Sequence, residues 1–188
     1  MTYLRISMRF TVLIITFLFI SNASAQSIMA GVEYTNLTWQ GLNNSESQTK
    51  NWGRGLTLMI SKPLTPSLSW GMALGAGDVR QQFENSETAD VATYGKLQGQ
   101  LIWSPLKAMG LANSRYNLDL LGCYSAVYLP AFRNAGFHDV HADVGAGFRQ
   151  SFRMGKHTGI WADVSHHQRL GADFKTFIAV RAGLVFNP

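Results

Sequence analysis

Ser165 is followed directly by His166 and His167, and Asp163 lies two residues before it. Serine, histidine and carboxylate are the groups acyl transfer needs. The histidine takes the hydroxyl proton and the carboxylate orients the histidine. The spacing argues against such a dyad. From Thr158 to His166 the chain alternates, with Ile160, Ala162 and Val164 opposite Trp161, Asp163 and Ser165. That is a strand pattern, and adjacent strand residues point to opposite faces. Ser165 and His166 therefore diverge, and His167 to Asp173 reads as the loop that follows. His138 and His141 also differ in parity, so they would not share a face to hold a metal. No catalytic set, metal site or cofactor is expected.

Ionic chemistry is better represented. Glu33, Asp119, Asp143 and Asp163, with Lys96, Arg149, Lys175 and Arg181, all fall on the polar face of an alternating stretch. Four acids meet four bases. A buried charge without a partner costs several kcal/mol, so this balance predicts a salt-bridge network in an enclosed interior.

The elements that would position these residues are strands. The clearest is Phe174 to Phe186, with Phe174, Thr176, Ile178, Val180, Ala182, Leu184 and Phe186 on one face. Its apolar face is long enough to cross a bilayer, for which roughly 9–11 tilted residues suffice. Comparable stretches run over 28–39, 52–61, 68–77, 91–103, 115–129, 138–152 and 158–166. That makes about eight, an even count as single-chain bacterial barrels require. The polar segments 40–51, 78–90, 130–137 and 167–173 read as loops at one end. The connections at 62–67, 104–114 and 154–157 fall at the other end, with a helical turn expected in the second. The predicted fold class is all-β, a transmembrane antiparallel up-and-down barrel of about eight strands.

Composition agrees. Charged residues are 14% and apolar residues 46%, against about a quarter charged in soluble domains. The stretch after residue 25 has no apolar run of the ~18 residues a membrane helix needs. Arg5 and Arg9, the apolar core Thr11–Ile20 and Ala23-Ser24-Ala25 form a signal-peptide pattern, predicting cleavage after residue 25 and a barrel domain over 26–188. Losing two arginines takes Lys+Arg from 16 to 14 against 11 acids, and the formal charge from +5 to +3. No basic cluster with interleaved aromatics points to nucleic acid. The one cysteine, Cys123, cannot form an internal disulfide.

Aromatics test the topology. Trp70, Trp103, Tyr116 and Phe186 fall at the short-connection end, and Trp39, Trp52, Tyr128 and Phe174 near the other. Two interface belts are what a membrane barrel requires. A sandwich also alternates, but has no reason to gather aromatics at both strand ends.

Signal peptide, paired alternating strands and a terminal aromatic strand resemble the small outer-membrane barrels of the OmpA/OmpX type over residues 26–188. The resemblance implies an outer-membrane location and a structural or interaction role: envelope integrity, adhesion or membership of a complex. It implies outer-membrane lipid and lipopolysaccharide, the barrel-assembly machinery and a companion outer-membrane protein as partners. The chain ends without the peptidoglycan-binding domain that OmpA-type proteins often add, so anchoring to peptidoglycan is not expected. The alternative is a narrow pore or a lipid-modifying barrel enzyme. Ser165-His166-His167-Gln168 is faintly similar to the His-x-Ser-Asn element of PagL-type lipid A deacylases, but the Ser and Asn after the His are missing.

Overall fold

The structure, a computed structural model, describes residues 27–37, 50–82, 90–111, 115–129, 139–170 and 176–187. Eight strands run in chain order: β1 (Ser27–Leu37), β2 (Lys50–Pro63), β3 (Leu68–Gln82), β4 (Asp90–Trp103), β5 (Tyr116–Leu129), β6 (Asp139–Arg153), β7 (Thr158–Arg169) and β8 (Thr176–Phe186). A single helical turn, α1 (Pro105–Ala108), joins β4 to β5. Every strand pairs antiparallel with its sequence neighbours, and β1 closes on β8 with Ile28 opposite Phe186.

Closure demands a stagger. Partners followed round the ring run from Pro63 through Ser69, Ile102, Leu121, Gly147, Ser165, Ala179 and Thr35 to Gly53. The path returns to β2 ten residues from its start (63 minus 53). That shear tilts the strands to the axis and leaves a bore that side chains can fill.

Period-2 patterning decides which side chains enter it. On β7, Trp161, Asp163, Ser165 and His167 are buried, while Ile160, Ala162 and His166 are exposed. On β8, Phe177, Ala179, Arg181 and Val185 are buried, while Ile178, Val180 and Leu184 are exposed. Val32, Leu56, Leu101, Tyr124, Phe148 and Ile160 continue the exposed apolar wall around the barrel. Among the described residues no helix is long and apolar enough to cross a membrane. Any crossing falls to the strands.

The strands are longer than the alternation alone suggests. Segment 78–82 belongs to β3, paired to β2 and β4, and not to a loop. Segment 167–169 likewise belongs to β7. Polar residues at these ends read as loop because hydropathy stops where the hydrocarbon stops. The backbone ladder continues beyond it, since hydrogen bonding does not depend on an oily side chain. The expected helical turn exists at 105–108, with Pro105 at its first position, where its missing N–H costs nothing. Gly110, at φ +72°, closes it in the left-handed region that glycine enters freely.

The short turns at 64–67, 104–111 and 154–157 lie at the end where β1 starts and β8 finishes. Leu64 N bonds Leu68 O at 2.8 Å and Ser104 N bonds Ser67 O at 2.8 Å, tying two of these turns together. The expected signal segment 1–25 lies outside the described residues, as do residues 38–49, 83–89, 130–138 and 171–175.

Candidate functional site: the barrel lumen

The lumen is layered. Towards the opposite end, Val79, Tyr94, Val127, Phe177 and Ala179 form a buried apolar cluster. Towards the short-turn end, Met29, Met59, Ala73, Trp161 and Val185 form another. Ile102, Leu121 and Cys123 fill a third patch. Paired charged side chains occupy the space between. Sequence reasoning identified the ions and overlooked the apolar layers, although Met29, Met59 and Phe177 stand at inward parity.

β4 contributes three long polar side chains on one face, Lys96, Gln98 and Gln100, and each reaches past its neighbouring strands. Lys96 Nζ donates to Glu33 Oε2 on β1. Gln98 Oε1 accepts from Arg181 Nη1 on β8 at 2.8 Å. Gln100 Oε1 accepts from Arg149 Nη2 on β6 at 2.9 Å. Asp163 on β7 sits between the two arginines. Its Oδ2 accepts from Arg149 Nε at 3.2 Å and Nη2 at 3.0 Å, and its Oδ1 from Arg181 Nε at 2.7 Å. Tyr94 donates to Glu33 at 3.3 Å. Arg149 also lies over the Trp161 ring, 5.4 Å from its centroid, adding a cation–π contact. The side chains of Arg149, Asp163 and Arg181 are at most 1% exposed.

Of the eight ionic residues singled out from sequence, Glu33, Lys96, Arg149, Asp163 and Arg181 therefore meet in one network. Asp119 faces Arg149 in register but is bonded by Ser104 and Asn117. Asp143 bonds His167. Lys175 lies outside the described residues.

The placement of His167 departs from the sequence reading. Because β7 continues to Arg169, His167 keeps the parity of Ser165 and turns inward, while His166 is exposed. His167 Nδ1 lies 2.7 Å from Asp143 Oδ1, and its Nε2 lies 2.9 Å from Ser165 Oγ. A carboxylate accepts from Nδ1–H, and in a neutral ring so arranged Nε2 accepts from the serine. The His167 ring stacks on Phe177, centroids 4.7 Å apart and planes 3° from parallel. Two glycines clear the space. A Cβ at Gly145 would stand 2.7 Å from His167 Nδ1, and one at Gly147 would stand 2.7 Å from Ser165 Cβ. The sequence signal was the i, i+2 spacing of Ser165 and His167, hidden by ending the strand too early. This is the Ser–His–Asp arrangement that activates a hydroxyl, yet Ser165 is 1% and His167 0% exposed. An ester carbonyl has no approach to Oγ in this conformation.

On the outer wall, Trp70, Trp103, Tyr116 and Phe186 are exposed at the short-turn end. Trp52 and Tyr128 are half-buried near the other end. Trp52 stacks with Tyr34, centroids 6.4 Å apart, under the Arg80 guanidinium at 5.1 Å. Trp39 and Phe174 lie outside the described residues.

A closed ring of eight antiparallel strands with an apolar exterior and an ionic girdle in its bore is the architecture of a small outer-membrane β-barrel. Among solved structures the chain is similar to Neisserial surface protein A (NspA), at 7% identity and TM-score 0.53, covering 86% of this chain and 96% of that one. It is also similar to Ail, the attachment invasion locus protein of Yersinia pestis, at 14% identity and TM-score 0.50, covering 87% and 98%. At these identities the likeness is one of fold. No protein-family model and no curated protein matches the chain.

Proposed function

We propose that this chain is an exported outer-membrane barrel with a closed lumen, acting through contacts at its ends and lipid-facing wall. One observation carries the reading: a buried ionic girdle lies between two apolar layers, with Asp163 holding both Arg149 and Arg181. An ion entering would have to displace these partners, and breaking a buried pair costs several kcal/mol. The signal-peptide pattern supports export. NspA and Ail, named a surface protein and an attachment invasion locus protein, support a contact role. Lipid, lipopolysaccharide, the assembly machinery and a companion membrane protein are the partners this role calls for. Purified protein in planar bilayers is expected to show no large stable conductance. A steady open channel would overturn the closed lumen, and a stoichiometric companion in gently solubilised membranes would identify the contact.

A second reading, acyl hydrolysis through Ser165, has the Ser165–His167–Asp143 geometry in its favour and the burial of all three against it. A fluorophosphonate probe on intact protein is expected to leave Ser165 unlabelled. Labelling that disappears in His167→Ala would transfer the function to this site.

A further inference from the structure

Three side chains on one rung of the β4–β5–β6 ladder carry polar atoms that neither the girdle nor the relay uses. Gln98, Ser125 and Asp143 are each 0% exposed. They stand in direct register, Gln98 opposite Ser125 and Ser125 opposite Asp143. Gln98 Oε1 serves Arg181 and Asp143 Oδ1 serves His167. Among the described residues, Gln98 Nε2, Ser125 Oγ and Asp143 Oδ2 have no hydrogen-bond partner. The nearby Cys123 thiol offers the amide only a weak acceptor.

A buried polar atom without a bond is costly. Protein interiors meet that cost with ordered water, each molecule making about three bonds. The three atoms match this need in kind as well as number. The amide nitrogen donates, the carboxylate oxygen accepts and the hydroxyl does either. An ion fits less well, because a cation would face the amide N–H and an anion the carboxylate. Opposite residues of an antiparallel pair hold their Cβ atoms about 5 Å apart, close enough for a single water to bridge their side chains.

Apolar neighbours close the place on both sides. Along the inward face of β5, Ser125 has Leu121 and Cys123 before it and Val127 after it, all buried. Val127 belongs to the apolar cluster that contains Phe177, and Leu121 and Cys123 pack with Ile102.

We propose that Gln98, Ser125 and Asp143 hold one ordered water in the lumen. It joins the ionic girdle to the Ser165–His167–Asp143 relay. One hydrogen-bonded chain then runs from Ser165 through His167, Asp143, the water and Gln98 to Arg181. The inference rests on the closed-lumen reading above, which conductance tests separately.

The test uses perdeuterated, isotope-labelled barrel refolded in detergent micelles. Magnetisation transfer from water to backbone amides reads the contact, and dispersion of the amide spectrum confirms the fold of each variant. Wild-type protein should show transfer to the amides of this rung, with the sign of a molecule tumbling with the barrel. Ser125→Ala removes a hydroxyl whose own exchange with solvent imitates such a signal. It should keep the transfer, because two partners remain. Ser125→Asn places an amide where the water sits and should abolish it. Loss in Ser125→Ala or persistence in Ser125→Asn would overturn the proposal. A high-resolution crystal structure of the wild type gives a second measurement, with a density peak expected within hydrogen-bond distance of all three atoms. A direct bond from Ser125 Oγ to Asp143 Oδ2, with no such peak, would also overturn it.

Discussion

Asp163→Ala is expected to lower the unfolding free energy of the barrel by about 3–5 kcal/mol, the cost of leaving a buried charge without its partner. The loss is large because one carboxylate serves two guanidinium groups. Arg149 keeps Gln100 and Arg181 keeps Gln98, but both of those partners are neutral. Two cations would then face each other inside the bore, with Glu33 already engaged by Lys96 and Asp119 already bonded by Ser104 and Asn117. Asp163→Asn should recover a minor part, since an amide oxygen accepts a hydrogen bond and carries no charge. Removing the charges together should be far milder. Arg149→Met/Asp163→Leu/Arg181→Met exchanges the ionic layer for apolar volume, and such exchanges are often neutral or stabilising. Equilibrium unfolding in vesicles, followed by tryptophan fluorescence, would measure all three. Trp161, beneath Arg149, should report the change directly. A cost for Asp163→Ala below about 1 kcal/mol, the range of exposed ion pairs, would mean that water reaches the girdle and the lumen is not closed.

The legible part of this molecule is the part governed by alternation. Glu33, Lys96, Arg149, Asp163 and Arg181 could be assigned to the interior because a pleat sends every second side chain the same way and the flanking residues are apolar. Their pairing was not legible, because Gln98 meeting Arg181 depends on the shear of the ring, which no single strand carries. The 78–82 and 167–169 extensions were lost for a different reason. Past the hydrocarbon both faces turn polar, and the contrast that marks parity disappears while the ladder persists. His167 lay in that blind region, and the Ser165–His167–Asp143 relay went unseen with it. The apolar layers were hidden by the opposite assumption, that inward residues of a membrane barrel are polar. In a bore this narrow Met29, Met59 and Phe177 are buried among other side chains and shielded from water.

Val180→Arg is expected to cost about 2–4 kcal/mol when the barrel is unfolded from vesicles, the penalty for an arginine at mid-membrane on the lipid face. Val180 stands near the middle of β8, 47% exposed, between Val164 and Tyr34. Its next neighbour is Arg181, 1% exposed and essential to the girdle. The same side chain is thus satisfied at one position and penalised at the adjacent one, because the pleat changes its solvent from ion pairs to hydrocarbon. Depth supplies the control. Leu184→Arg lies on the same face near the short-turn end, where the penalty falls to about 0–1 kcal/mol as the guanidinium reaches the headgroups. The gap between the two variants therefore measures hydrocarbon and not loss of packing, since both residues are exposed members of one strand. On a water-soluble barrel an exposed arginine would cost little at either place. Equal, small effects at both positions would remove the membrane from the account of this fold.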